Sequence, residues 1–576
     1  MANNPNSGYQ ETGTNEMALF TLKVHRGDGM ALLGMNWKNG KPTPDFVGFS
    51  IEYKEPNGNK FFPLRNRISF PEADKTDPNV RYTLHSPLQV FRWVHFPRNP
   101  EIEGLFTYVV KPVFMNKNKE LSYGESQQCS IALARETYPN ALNVTFTRGF
   151  ISSQAFVDRY EEKGDIKTLL PAKSKEGLNF KPTHSLSKDA LKWMGFEAYN
   201  AILKILDDAI KDDTAKVSVI AYDLNEPEIV NRLKKLKKRL RIIIDNSKDH
   251  GEEGSAENKA AEMLKITAGK NQVIRQKMGS LQHNKTIIVD GHDLKKVVCG
   301  STNLSWRGIF VQNNNAIILS GNKPVELFNE AFENFWSVGE SNTVSLFNNT
   351  KSATWQSLGL PNIDAKVTFS PHSTENTVLQ SIGEDVATIK SSLLYSMAFL
   401  SQTGGPIREA LTKITENEKI FVYGIADKPV GGINLKNTDG NPQPVSPAVI
   451  SENIPEPFKK EPVGGGGIRM HHKFLVMDFN TEDARVYMGS YNFSGVADSA
   501  NGENLLLIKD RKVATSYMIE AVRIFDHYEF RLARSKADAK NQKLELKLPP
   551  NDNRQKPWWD KYYSDKRRSK DRELFS

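Results

Sequence analysis

His283-Asn284-Lys285-Thr286-Ile287-Ile288-Val289-Asp290, followed by Gly300-Ser301-Thr302-Asn303, recurs as His471-His472-Lys473-Phe474-Leu475-Val476-Met477-Asp478, followed by Gly489-Ser490-Tyr491-Asn492. In each copy a His and a Lys stand two apart at the head of a short apolar run, and an Asn follows downstream. Successive residues of a strand point to opposite faces, so residues i and i+2 share one, and each run presents its His and Lys together. Two such strands side by side make one pocket. It holds two imidazoles, two ammonium groups and two carboxamides, a set that suits an anionic phosphoryl centre and no metal.

Working outward, each motif closes an alternation of strands and helices. A helical stretch over 190–212 precedes an apolar strand at 217–223, a helix opens at Glu226-Pro227-Glu228, and a second strand covers 240–245. Proline in the first turn with acids beside it is a helix-start signal. The second copy repeats the order, with strand 391–399, helix 406–416 and strand 419–425 ahead of His471. That order predicts an α/β fold with a mostly parallel sheet in each half. The two histidines stand 188 positions apart, a spacing that suits two sequential halves of one pseudo-dimer.

Residues 1–16 are polar and read as a disordered tail. Over 17–137, short alternating runs such as Val47, Phe49, Ile51 and Tyr53, or Phe106, Tyr108 and Val110, lie between turn clusters and predict a β-sandwich of immunoglobulin or fibronectin type. Such a module suits binding of a protein partner, and Arg26-Gly27-Asp28 reads as a hairpin turn. The first half then covers 138–352, the second 353–533, and a basic tail 534–576. Residues 428–468, rich in Pro, Gly and Asn, read as a mobile loop at the pocket mouth or a plain spacer.

The 576 residues carry a net charge of +9, and 534–576 alone hold 13 Lys/Arg against 7 Asp/Glu. A basic tail favours a polyanion such as nucleic acid or an anionic membrane surface, or serves only as a solvated tail. The two cysteines, Cys129 and Cys299, exclude a disulfide framework and a Cys-based zinc site. No transmembrane run of about 18 apolar residues and no signal-peptide pattern is present, so a cytoplasmic location is expected.

The double motif resembles the phospholipase D superfamily, over roughly residues 140–535. The likeness extends past each Asn into Gln312-Asn313-Asn314-Asn315-Ala316-Ile317-Ile318-Leu319 and Asn501-Gly502-Glu503-Asn504-Leu505-Leu506-Leu507-Ile508. The resemblance implies two phospholipase D-like halves and a cofactor-free, metal-free phosphodiesterase working through a phosphohistidine. His283 and His471 with Lys285 and Lys473 are then catalytic, Asn303, Asn492, Ser301 and Ser490 bind phosphate, and Asp290 and Asp478 buttress the fold. A downstream carboxylate or amide orients each ring, and alignment of the blocks puts Asn314 on His283 and Glu503 on His471, with Asn313 and Asn315 as alternatives to Asn314. A carboxylate favours the imidazolium, which makes His471 the acid and His283 the nucleophile. His472 points to the opposite face of its strand as a packing residue, and His292 sits at a solvated turn.

The second block looks most like the endonuclease branch, and the basic run 234–241 with Trp558-Trp559 and Lys566-Arg567-Arg568 suits a nucleic-acid backbone and its bases. A nuclease is the first reading. A phospholipase D acting on phospholipid head groups is the second, a cardiolipin-type synthase is disfavoured for want of membrane-anchoring segments, and an inactive scaffold or binding protein is the reading outside this class.

Overall fold

The computed structural model describes residues 8–149, 156, 159–400, 403–426 and 470–576, apart from 72, 75 and 553. These fall into two compact units, one made of the chain up to Arg135 together with Thr515–Ser576, the other of the chain from Glu136 to Ala514. The loop expected over 428–468 lies outside the described residues.

In the first unit the strands are β1 (Gln10–Thr12), β2 (Phe20–Arg26), β3 (Ala31–Trp37), β4 (Phe46–Lys54), β5 (Phe62–Pro63), β6 (Arg92–His95), β7 (Leu105–Met115), β8 (Leu121–Tyr123) and β9 (Gln127–Ala132). They make two sheets, ordered β1-β2-β3-β6 and β5-β4-β7-β8 with β9 also on β7. Alternation turns Phe20, Leu22 and Val24 of β2 and Phe49 and Ile51 of β4 into one buried cluster with Phe106, Tyr108 and Val110 of β7. Arg26-Gly27-Asp28 begins the β2–β3 turn, where the Gly27 amide donates to the Met30 carbonyl.

Two expectations change here. The polar stretch up to residue 16 is not all tail: Gln10–Thr12 pairs with β2 in register Gln10 to His25. An edge strand needs only its backbone for pairing, so polar side chains are no obstacle. Nor is 534–576 a basic tail, for Trp558, Trp559 and Tyr562 belong to the apolar cluster of the two sheets. The indoles donate to the carbonyls of Phe46 and Thr43, and Arg92 pairs with Asp526 and Asp571. Burial of this aromatic area outweighs the charge of the helix Lys566–Leu574 that follows.

The second unit holds two seven-stranded sheets. The first contains β10 (Leu142–Phe146), β11 (Lys216–Ala221), β12 (Leu240–Asp245), β13 (Val273–Gln276), β14 (Lys285–Asp290), β15 (Lys295–Gly300) and β16 (Asn315–Ser320), ordered β10-β16-β15-β14-β11-β12-β13. The second contains β17 (Gln356–Ser357), β18 (Asp364–Ser370), β19 (Ser392–Met397), β20 (Phe421–Ala426), β21 (Lys473–Met477), β22 (Arg485–Gly489) and β23 (Glu503–Lys509), ordered β17-β18-β23-β22-β21-β19-β20. The helices Ser187–Lys211, Pro227–Leu236 and Ala256–Ala268 close one face of the first sheet around Val217, Val219, Ile242, Ile287 and Val289.

The sheets are mixed and not mostly parallel. Only β11–β12, β12–β13 and β19–β20 run parallel. Each motif strand instead meets its neighbours antiparallel on both sides. The cause is the short link between β14 and β15, a few residues around Gly291, which permits a hairpin and no crossover. The motif strands also belong to different sheets and do not pair. The halves are joined beside them by an isolated bridge between Asn313 and Met470 and by the Gly502 amide donating to the Leu281 carbonyl.

Candidate active site

Lys285 opens β14 and Lys473 opens β21, with His283 and His471 two residues ahead of them in the chain, so all four stand where the two sheets approach. The two imidazole centroids are 6.4 Å apart. Both rings are nearly enclosed, His283 3% and His471 5% exposed, and Lys285, Lys473 and Asn303 are buried as well. The ring planes are inclined at 66°.

The orienting residues are crossed between the halves. Nδ1 of His283 lies 2.9 Å from both carboxylate oxygens of Glu503, and Nδ1 of His471 lies 2.8 Å from Oδ1 of Asn314. The pairing expected from alignment of the blocks is therefore wrong. In each sheet the orienting residue stands two strands away from its own motif strand, with β15 or β22 between them. Two strand spacings are about 10 Å, beyond a side chain's reach, whereas the other half is in contact. The same exchange occurs one residue on, where the Asn504 amide donates to Asn284 Oδ1 and the Asn315 amide meets His472 Nδ1.

Burial pushes the His283 pKa below its ordinary value, Glu503 opposes this, and Lys285 adds to it. Burial alone would raise Glu503, but His283 and Lys285 outweigh it and hold the carboxyl below the usual range. Among the described residues His471 has no carboxylate partner. Burial, then Lys473, Lys285, His283 and Arg307, press its pKa far down. Burial also pulls the Lys285 ammonium to about 8 against Glu503, Asp223 and Asp245.

The lysines differ in what they touch. Lys473 Nζ donates to the His471 carbonyl at 2.8 Å and sits 3.2 Å from His471 Nε2. Lys285 Nζ donates to the His283 carbonyl and lies over the Tyr222 ring, 4.5 Å from its centroid. The carboxamide oxygens of Asn303 and Asn492 are buried without a hydrogen-bond partner. The serines are engaged within the protein: Ser301 Oγ accepts from the Asn315 amide, and Ser490 accepts from the Asn504 amide and bonds Glu503. Ser490 thus positions Glu503 and has no hydroxyl left over for phosphate.

Asp478, at the far end of β21, accepts from the backbone amides of Ser391 and Ser392. Asp290 bonds Lys295 and Asn329. His472 is fully buried with its ring edge-on to Phe146 and Phe474, and His292 is exposed beside Asp293. Sequence reasoning missed Tyr222, Asp223, Asp245, His250 and Arg307. A signal was present, since Tyr222 and Asp245 stand at the C-terminal ends of adjacent parallel strands, where open α/β sheets hold their ligands. Asp223, His250 and Glu257 are also, among the described residues, a group close enough to hold a cation.

The family described as "Cardiolipin synthase, PLD-like domain" matches residues 206–336 and 406–525, one stretch in each half and each containing a full motif. The chain belongs to the phospholipase D superfamily. Over 48 residues it is 44% identical to a "Phospholipase D" of Rickettsia prowazekii (strain Madrid E), a match that covers 8% of this chain and 22% of that protein. A protein of the same description from Rickettsia felis (strain ATCC VR-1525 / URRWXCal2) is 40% identical over 48 residues, with the same shares of each chain. The chain thus spans about a fifth of the length of these relatives. Among solved structures it is similar to phosphatidylserine synthase of Haemophilus influenzae Rd KW20, with 12% identity and a TM-score of 0.40 over 60% of this chain and 92% of that one. Members of this superfamily act on phosphodiesters. Among the described residues no helix is long and apolar enough to cross a membrane.

Proposed function

We propose that the protein cleaves phosphodiesters in two steps, with His283 as nucleophile and His471 as general acid and then base. The observation that carries this reading is the unequal support of the two facing rings, a carboxylate on His283 and an amide on His471. Attack by His283 Nε2 on phosphorus leaves a positively charged phosphoimidazole whose Nδ1 keeps its proton and donates it as a hydrogen bond to Glu503, so the carboxylate stabilises the charge as it forms. The leaving oxygen takes the Nε2 proton of His471. Burial first, and then the cationic neighbours, make the His471 imidazolium a strong acid, and the bound diester, by offsetting those cations, lets it hold that proton until it is needed. In the second step neutral His471 deprotonates water, hydroxide displaces His283 from phosphorus, and both rings return to their starting states. Lys285, Lys473, Asn303 and Asn492 donate to the non-bridging oxygens.

His283 keeps the role expected from sequence, but the argument for it is reversed, because the carboxylate belongs to the nucleophile. Support for nucleic acid as substrate is also reduced. The indoles of Trp558 and Trp559 are buried in the first unit and offer no face to a base. The basic run 234–241 ends at Arg241, the second residue of β12, while Asp245 marks the pocket end, about 13 Å away along the strand. What the pocket's own residues recognise is the diester common to nucleic acids and phospholipids. The purified protein should be offered plasmid DNA, single-stranded RNA and phosphatidylcholine vesicles beside bis(p-nitrophenyl) phosphate. Turnover of any of these that is lost in both His283→Ala and His471→Ala supports the reading, and turnover that persists in either variant overturns it.

A further inference from the structure

We infer that His250 and Tyr222 are positioning residues that hold His283 and Lys285 in place and set the protonation of His283. This rests on His283 being the nucleophile.

His250 lies just after β12, in the turn Lys248–Gly251. Its Nε2 is 2.9 Å from Asp223 and its Nδ1 is 2.8 Å from Asp245, so both ring nitrogens face carboxylates. That arrangement demands an imidazolium. Burial opposes the charge, but the two aspartates outweigh it and push the pKa up to about 10. Glu257 of the helix Ala256–Ala268 adds negative charge, and Arg275 of β13 donates to the His250 carbonyl.

From this ion two paths lead to the nucleophile. Asp245 also accepts, through its other oxygen, the backbone amide of Gln282 at 2.7 Å, one residue before His283. On the second path the Tyr222 ring packs edge-on to His250, 4.5 Å between centroids, and to His283, 4.7 Å between centroids. The same ring carries the Lys285 ammonium. Groups facing His283 directly are Glu503, Lys285, His471 and Lys473.

The second half supplies an internal control. The amide of Tyr222 donates to the carbonyl of Asn284, and at the equivalent place the amide of Ala398 donates to the carbonyl of His472. Strand register agrees, pairing Ala221 with Lys285 and Met397 with Lys473. The second half thus builds the same strand pair with alanine where the first has tyrosine, so the ring is not a requirement of the fold. The lysines differ alongside: Lys473 Nζ lies 3.2 Å from Nε2 of its own histidine, while Lys285 Nζ sits over the Tyr222 ring.

The test is His250→Gln in the full chain. The His283 pKa is read by NMR of the imidazole nitrogens without substrate, and kcat and KM on bis(p-nitrophenyl) phosphate are followed against pH. Removing one positive charge unmasks Asp223 and Asp245, so the His283 pKa should rise by about half a unit or more. The acid limb of kcat/KM, which reports neutral nucleophile, should rise with it, and kcat should fall at least about tenfold. His250→Lys should bring the pKa and the limb back towards their starting values. Should His250→Gln not fold, Tyr222→Ala, which copies Ala398, is the second variant, with a fall in kcat larger than any rise in KM expected. A folded His250→Gln with unmoved His283 pKa and acid limb overturns the proposal, as does a stoichiometric metal ion that is lost in His250→Gln. A shifted pKa in a protein whose wild type cleaves no diester supports the network and overturns the proposed function instead.

Discussion

Glu503→Gln separates the two chemical steps. The carboxylate is fully buried and both oxygens stand 2.9 Å from His283 Nδ1, so the carboxamide keeps an acceptor in place and removes only the charge. Losing the charge-assisted part of that bond costs the cationic phosphoimidazole about 1.5 kcal/mol, and the whole ion pair in a partly screened site about 4 kcal/mol. Adduct formation should therefore slow by about tenfold to a thousandfold. Because Glu503 raises the His283 pKa, its loss lowers that pKa, and the acid limb of kcat/KM moves to lower pH while the plateau falls. Rapid mixing with bis(p-nitrophenyl) phosphate should show a slower p-nitrophenolate burst, and acid quench should find less phosphate on His283 at early times. A larger burst with adduct accumulating on His283 would place Glu503 in the hydrolytic step and refute the reasoning, and an adduct on His471 would reverse the roles of the rings.

Further expectations concern the other groups of the site. Asn314→Ala removes the Nδ1 partner of His471 and should slow the water step by about tenfold, so quenched adduct on His283 increases, opposite to Glu503→Gln. Lys285, held at about 8 by burial, is neutral above that pH, and KM measured between pH 7 and 9.5 should rise through its pKa, an effect that Lys285→Arg removes. The His250 pKa is raised in the folded state, so its contribution to stability is complete below about 6.5 and is lost as pH rises towards about 10. Thermal unfolding should show a midpoint that falls over that window, and His250→Gln should flatten the fall. Activity should persist in EDTA, since the groups proposed to touch the diester are imidazoles, ammonium groups and amides; loss in chelator restored by one divalent ion would refute this.

The strands and helices ahead of each motif were legible because apolar periodicity, a proline at a helix start and Gly-rich turns are local properties of the chain. The candidate catalytic set was legible for a different reason. Two copies of His-x-Lys at the head of an apolar run constrain each other, and the strand repeat puts both side chains on one face wherever the strand lies. Burial of Trp558 and Trp559 was not legible, since a basic, aromatic stretch reads the same whether it packs on a sheet or faces water.

Most of what governs reactivity came from contacts distant in sequence. Glu503 and His283 are 220 positions apart, and only the order of strands, with β22 interposed between β23 and β21, denies Glu503 to its own histidine and delivers it to the other. The network Asp245, His250, Tyr222 likewise depends on β12 lying beside β11 and β11 beside β14. The sequence by itself determined which functional groups the site contains, because strand periodicity acts over two residues. Which histidine receives a carboxylate, and with it the proposed division of work between the two rings, was decided by the tertiary structure, because a pKa depends on burial and on charges a few ångströms away in space, wherever they lie along the chain.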